Sequence, residues 1–218
     1  MLRILLTGFA PFDGGTANPS ERAVAALAEG PRLPGLALAT AILPVTYGGA
    51  LPTLRAALAA HGPDVVLATG LAGGRPAVSV ERVAINVDDA RIADNDGVRR
   101  IDAPVVPGGP AAYFATLPIK AMVAAIRAAA VPAEVSQSAG TFLCNHIFYH
   151  ACHIAATERT GLRAGFIHLP WLPAQAVDHP GEPSMALDDV VRALRAALAA
   201  LLHIPAGSDL DVAEGAVG

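Results

Sequence analysis

Apolar residues along this chain come in short unbroken runs: Arg3 to Thr7, Ala37 to Pro44, Asp64 to Thr69, Arg82 to Asn86, Ala133 to Ser136 and Ala164 to His168. The runs lack the polar alternation of a strand with one wet face, which predicts strands buried on both sides, as in a parallel sheet. Between them lie alanine-rich amphipathic stretches that predict helices. One opens at Asn18-Pro19-Ser20-Glu21, where proline is tolerated in the first turn and Ala23 to Ala28 supplies helix formers. Others cover Gly48 to His61, Ile119 to Ala130, Asn145 to Glu158 and Ser184 to Leu202, the last with Asp188-Asp189 where the helix dipole favours acids. This alternation defines the α/β class. Val87 to Pro118 is rich in Asp, Gly and Pro and has no helical period, so it reads as a functional loop or a small hairpin excursion. Residues 1–204 form one expected domain, and Pro205 to Gly218 reads as a frayed tail.

Composition narrows the picture. A chain of 218 residues is long enough for one sizeable core. With 53% hydrophobic and 16% charged residues it is not the composition of a disordered protein. The net charge is −4 and the 15 basic residues are scattered, so the footprint of a nucleic-acid binder is missing. No apolar stretch approaches the roughly 18 residues of a membrane span, and a soluble protein is expected. The run after Met1 stops at Thr7-Gly8 with no small-residue cleavage site, so it reads as a buried first strand of a cytoplasmic protein. Two cysteines make no disulfide framework. Cys144 and Cys152, eight apart on one predicted helix, would sit about 12 Å apart and cannot pair.

In α/β sheets ligands bind beyond the carboxyl ends of strands, and three places there carry chemistry. In Ser138-Ala-Gly-Thr-Phe-Leu-Cys144 a strand ends, a turn follows and Cys144 falls where a helix begins. The dipole and free N–H groups there are expected to lower a thiol pKa toward a usable thiolate. Cysteine is also among the most often buried and inert residue types, so position alone leaves both roles open. His168 ends the run Gly165-Phe-Ile-His168 and is placed to act as a general base or to serve as a hydrogen-bonded structural histidine. Glu81 precedes an apolar strand; it can orient an imidazole, or be a solvated strand end. His146, His150 and His153 share one helical face at a spacing that could seat two metal ligands, but the accompanying metalloprotease glutamate and a third-ligand motif are missing. Gly70-Leu71-Ala72-Gly73-Gly74-Arg75 follows a strand, yet lacks the lysine and the glycine spacing of phosphate loops.

Taken in order, Thr7-Gly8-Phe9-Ala10-Pro11-Phe12, Asn18-Pro19-Ser20, Gly70 to Arg75, Glu81 to Asn86, Ala90 to Asn95, Gly108 to Tyr113, Ser138 to Tyr149 and Gly165 to Pro173 resemble the pyroglutamyl peptidase I family. The resemblance implies a three-layer α/β/α fold with a central mixed, largely parallel sheet, similar to purine nucleoside phosphorylases. It implies a cysteine peptidase that removes an N-terminal pyroglutamyl (5-oxoproline) residue from peptides through a thioester. It implies no metal or other cofactor, and a dimer or tetramer. Position by position, Cys144 matches the nucleophile, His168 the base and Glu81 the orienting acid. Arg91 and the Leu143 backbone match groups that position the reacting carbonyl. Phe9, Phe12, Phe142, Ile92, Val45 and Leu71 match the substrate pocket. The family commonly has Gln where this chain has Leu71, and often Thr where it has Val45. The first departure raises the alternative of a weak or silent member that binds, or acts on a shifted substrate; a nucleoside phosphorylase is the rival that the fold alone permits.

Overall fold

The computed structural model describes residues 1–215. Its centre is a six-stranded sheet. Strands β1 (Leu2–Phe9), β2 (Leu36–Leu43), β3 (Val65–Leu71), β4 (Val78–Glu81), β7 (Ala133–Ser136) and β8 (Arg163–Leu169) lie in the order β2-β1-β3-β8-β4-β7. The first four in that order run parallel, β4 runs antiparallel to β8, and β7 is parallel to β4. Two further strands, β5 (Val83–Ile85) and β6 (Ala112–Phe114), make a separate antiparallel pair.

Helices cover both faces because the strand runs are apolar on both. Side chains alternate across a strand, so Ile4, Leu6, Val65, Leu67 and Ile167 face one way and Leu5, Val66, Ala68 and Phe166 the other. The first set packs under α1 (Pro19–Glu29), α3 (Ile119–Ala128) and α6 (Leu187–His203). The second packs under α2 (Tyr47–His61) and α4 (Leu143–Thr157). Each fully buried Leu, Ile or Phe contributes about 1.5 to 3 kcal/mol relative to an exposed one, so both layers are needed. The result is the three-layer α/β/α arrangement with a mixed, mostly parallel sheet.

Several elements differ from the sequence expectation. The single strand expected at Arg82 to Asn86 is two: β4 ends at Glu81 in the main sheet, and β5 begins at Val83 in the small one. The chain turns off at Arg82, whose N–H donates to Ser136 O while its carbonyl accepts from Ala115 N–H. Inside the irregular stretch from Val87 to Pro118, β6 folds back on β5 as the hairpin excursion anticipated there. Helix α2 starts one residue early because Thr46 caps it through Gly49 N–H. Helix α6 starts at Leu187 and Ser184 does not cap it; that serine bridges to Trp171 instead. A short helix, α5 (Pro173–Ala176), follows β8 and was not anticipated. Beyond α6 the chain returns to α3, where Asp209 accepts from Lys120 and Ala121 N–H and Glu214 pairs with Arg127. The expected frayed tail covers residues 205–218, of which 216–218 lie outside the described residues.

Candidate active site

Strand periodicity decides which side chains meet. On β8, Ile167 and Leu169 face the α1/α3/α6 layer, so His168 between them faces α4; Gly70 lies opposite it on β3. Strand β4 pairs Ser79 with His168 in the antiparallel direction, which makes Glu81 the diagonal neighbour on the same face. Glu81 Oε1 and His168 Nδ1 are 2.7 Å apart, and the two side chains are almost entirely buried. With Nδ1–H donating to the carboxylate, Nε2 carries the free lone pair toward the site. Glu81 thus closes a sheet strand and is not a solvated end.

Cys144 is the second residue of α4. Its sulfur lies directly over Gly70: a methyl group added there would be 2.7 Å from Sγ, so the absence of a side chain at 70 makes room for the thiol. Phe142 enters the helix in an extended conformation and supplies no side-chain cap. Among the described residues the Leu143 and Cys144 N–H groups have no hydrogen-bond partner, leaving the positive end of the helix open beside the sulfur.

The resting thiol differs from expectation. Burial pushes Cys144 up to about 12, the Glu81 charge adds to the rise, and Arg75 opposes it. His168 is moved below its ordinary value, chiefly by burial, against the raising effect of Glu81. Desolvation thus favours the neutral thiol and the neutral imidazole over their charged forms.

Arg75 is a residue that the sequence reading did not single out. Its Nη1–H donates to Glu81 Oε1 at 2.7 Å and to Ser136 Oγ at 3.3 Å, while Nη2–H donates to Ser138 O at 3.0 Å. It thereby compensates the buried carboxylate and ties it to the loop leading into α4. Gly73, two residues earlier, packs on Trp171, where a methyl group would sit 2.5 Å from the indole.

These groups border one cavity of about 310 Å³. Phe9, Phe12, Val45, Leu71, Phe142 and Leu143 line it together with Cys144 and His168, as the resemblance implied. Arg91 and Ile92 do not line it. Arg91 is exposed and has no hydrogen bond or ion pair among the described residues. The nearby loop acids are engaged by other groups: Asp88 by Arg100 and His146, Asp94 by the N–H groups of Tyr47, Asp96 and Val98.

The three helix histidines are engaged elsewhere. His146 Nδ1 lies 2.9 Å from Asp88, His153 Nδ1 lies 2.9 Å from Tyr113 Oη, and His150 stacks edge-on against His146. Among the described residues no three His, Cys, Asp or Glu side chains gather as a metal site requires. Cys152 is buried, and like Cys144 it is unpaired.

Fold and site together define an α/β protein with a cysteine, histidine and carboxylate in the arrangement of a thiol hydrolase. The comparisons narrow the class. The family profile described as Pyroglutamyl peptidase matches residues 2–204. A pyrrolidone-carboxylate peptidase of Streptomyces coelicolor is 55% identical over 216 residues, 99% of each chain. One from Klebsiella pneumoniae is 54% identical over 210 residues, 96% of this chain and 97% of that one. The crystal structure of pyroglutamyl peptidase I from Bacillus amyloliquefaciens superposes with a TM-score of 0.92 at 39% identity, covering 97% of this chain and 99% of that one. The chain belongs to the pyroglutamyl peptidase family.

Proposed function

We propose that the protein is a cysteine exopeptidase that hydrolyses the amide bond following an N-terminal pyroglutamyl residue. The observation that carries this reading is the placement of Cys144 Sγ over Gly70, across from a His168 whose Nδ1 is held by Glu81, at the floor of a small aromatic cavity. His168 Nε2 takes the thiol proton as sulfur attacks the pyroglutamyl carbonyl carbon. The resulting oxyanion accepts from the Leu143 and Cys144 N–H groups. The imidazolium, stabilised by Glu81, returns its proton to the leaving amine. The C–N bond breaks and a thioester remains, which water attacks with His168 again acting as base.

The cavity also explains the terminus chosen. Phe9, Phe12, Phe142 and Val45 suit a flat uncharged lactam, and among the described residues no Asp or Glu lines the wall to receive an ammonium group, whereas the cation Arg75 does line it. A free α-amino terminus would lose its hydration without a partner there. Leu71 places an apolar group where the resemblance has an amide, so the helix N–H groups carry the oxyanion in this chain. A nucleophile that must stay reduced, in a protein with both cysteines unpaired, fits a reducing compartment such as the cytoplasm. The dimer or tetramer implied by the resemblance is read from the mass in light scattering.

Pyroglutamyl aminomethylcoumarin, incubated with the reduced protein near neutral pH, should release the coumarin. Cys144→Ala should lose at least about 10³-fold of that rate, and the prolyl analogue, with its charged amine, should stay uncleaved. A folded protein that leaves the pyroglutamyl compound intact, or a Cys144→Ala variant as active as the parent, would overturn the reading.

A further inference from the structure

A second cavity, of about 240 Å³, adjoins the first and shares Phe12 and Leu71 with it. We propose that this trough is the binding site for the first residue after pyroglutamate, and that it selects a long cationic side chain, arginine or lysine. The inference rests on the peptidase reading above and concerns the leaving side of the same reaction.

Direction comes from the order of the sheet. The aromatic end of the first cavity lies over the carboxyl ends of β1 and β2, where Phe9 ends β1 and Val45 follows β2. The sulfur lies over Gly70 of β3, and His168 sits on the next strand, β8. A substrate with its lactam over β1 and β2 and its carbonyl at the sulfur therefore points its leaving amine toward β8. Beyond His168 the two strands continue side by side, with Leu71 opposite Leu169 and Ala72 N–H donating to Leu169 O. Just past the ends of the two strands, Gly73 packs against Trp171, which lines the second cavity.

The trough is a built surface. Trp171 is fixed by Gly73, by His179 stacked at 4.3 Å, and by its Nε1–H bond to Glu182. The loop after β1 is tied across the trough to the segment after β8 by Gln175 Nε2–H donating to Ala17 O. Phe12 and Leu71 are shared with the first cavity, whereas Trp171, Asp13 and Asp178 line the second alone. No Lys or Arg lines it among the described residues. A side chain with an apolar stem and a cationic end matches that order of surfaces, covering the stem and leaving the charge beside the acids. The charge effect is that of exposed groups and so is salt-sensitive.

The test compares kcat/KM for pyroglutamyl-arginine, pyroglutamyl-leucine and pyroglutamyl-glutamate amides, in the parent and in an Asp13→Asn/Asp178→Asn variant. Pyroglutamyl aminomethylcoumarin, whose leaving group carries no charged side chain, reports whether each protein is active. At low salt the parent should prefer arginine over glutamate by about 3- to 10-fold. That ratio should shrink toward unity in 0.5 M salt and in the variant. Equal rates for all three peptides, or a preference that survives both salt and the double substitution, would overturn the proposal while leaving the peptidase reading intact. A parent that also fails to cleave the coumarin compound would overturn both.

Discussion

At the scale of residues, the site works by holding charges apart until substrate arrives. A thiol pushed up to about 12 and an imidazole held below its ordinary value have no reason to exchange a proton at rest. Burial dominates this balance, and Arg75 adds to it, since the Glu81 charge raises the imidazole value while Arg75 lowers it. Because the base must be neutral to take the thiol proton, kcat/KM should fall on the acid side through a pKa below the unperturbed value of about 6.5. Replacing Arg75 by Gln removes the opposing cation. The acid limb should then move to higher pH, and kcat should drop about 10- to 100-fold, as expected for a lost charge-assisted hydrogen bond. A purely structural role would lower the rate at every pH and leave the limb where it was, so the pH profile of the variant is the measurement.

At the scale of elements, the position of α4 matters most, because its first turn carries the thiol and the open N–H groups. Asn145, fully buried, fixes that turn to β5: its Oδ1 accepts from Ile85 N–H, and its Nδ2 donates to the carbonyls of Ile85 and Val87. Asn145→Ala leaves three partly buried backbone groups unmatched and should destabilise the fold by about 2 to 4 kcal/mol, read from the urea midpoint. An unchanged midpoint would show that water or a small shift replaces those bonds. Much of this element level was legible in sequence: apolar runs marked β1, β2, β3 and β8, the short Ala133–Ser136 segment marked β7, and helix periods marked the five long helices. What escaped was β4, a four-residue strand with its polar Ser79 and Glu81 on the buried α4 face. Alternation there looks like a partly wet segment until the antiparallel register with β8 brings Glu81 to His168. Cys144, His168 and Glu81 were visible as polar residues at element ends. Arg75 was not, because its contact with Glu81 exists only through that pairing. Arg91 matched a motif, yet no contact holds it to the cavity.

At the scale of the whole molecule, the two covering layers differ in kind. The α1/α3/α6 side buries small hydroxyls such as Ser20 and Thr69, whereas the α2/α4 side holds a buried charged group: Asp88 bound to His146 and Arg100, His150 against His146, and Arg100 over the Tyr47 ring at 4.5 Å. His150 is the member with a cost under acid conditions. Burial, with His146, His153 and Arg55 adding to it against the opposing pull of Asp88, lowers its pKa to about 3. In the unfolded chain the same ring titrates near 6.5, so the folded form disfavours its proton. Stability from this group is complete above about pH 6.5 and declines as pH falls from there toward 3, because only the unfolded state takes up the proton. By pH 4.5 the loss should reach about 2 to 3 kcal/mol. Replacing His150 by Leu, of similar volume, removes the titrating group. The parent's urea midpoint should therefore fall relative to the variant's as the pH is lowered from 7 to 4.5, whatever their difference at pH 7. Carboxylate titration elsewhere acts on both proteins alike, so the change in their difference isolates His150. Parallel declines would mean that the α4 layer opens or hydrates before its histidine is charged, and that acid sensitivity arises elsewhere in the fold.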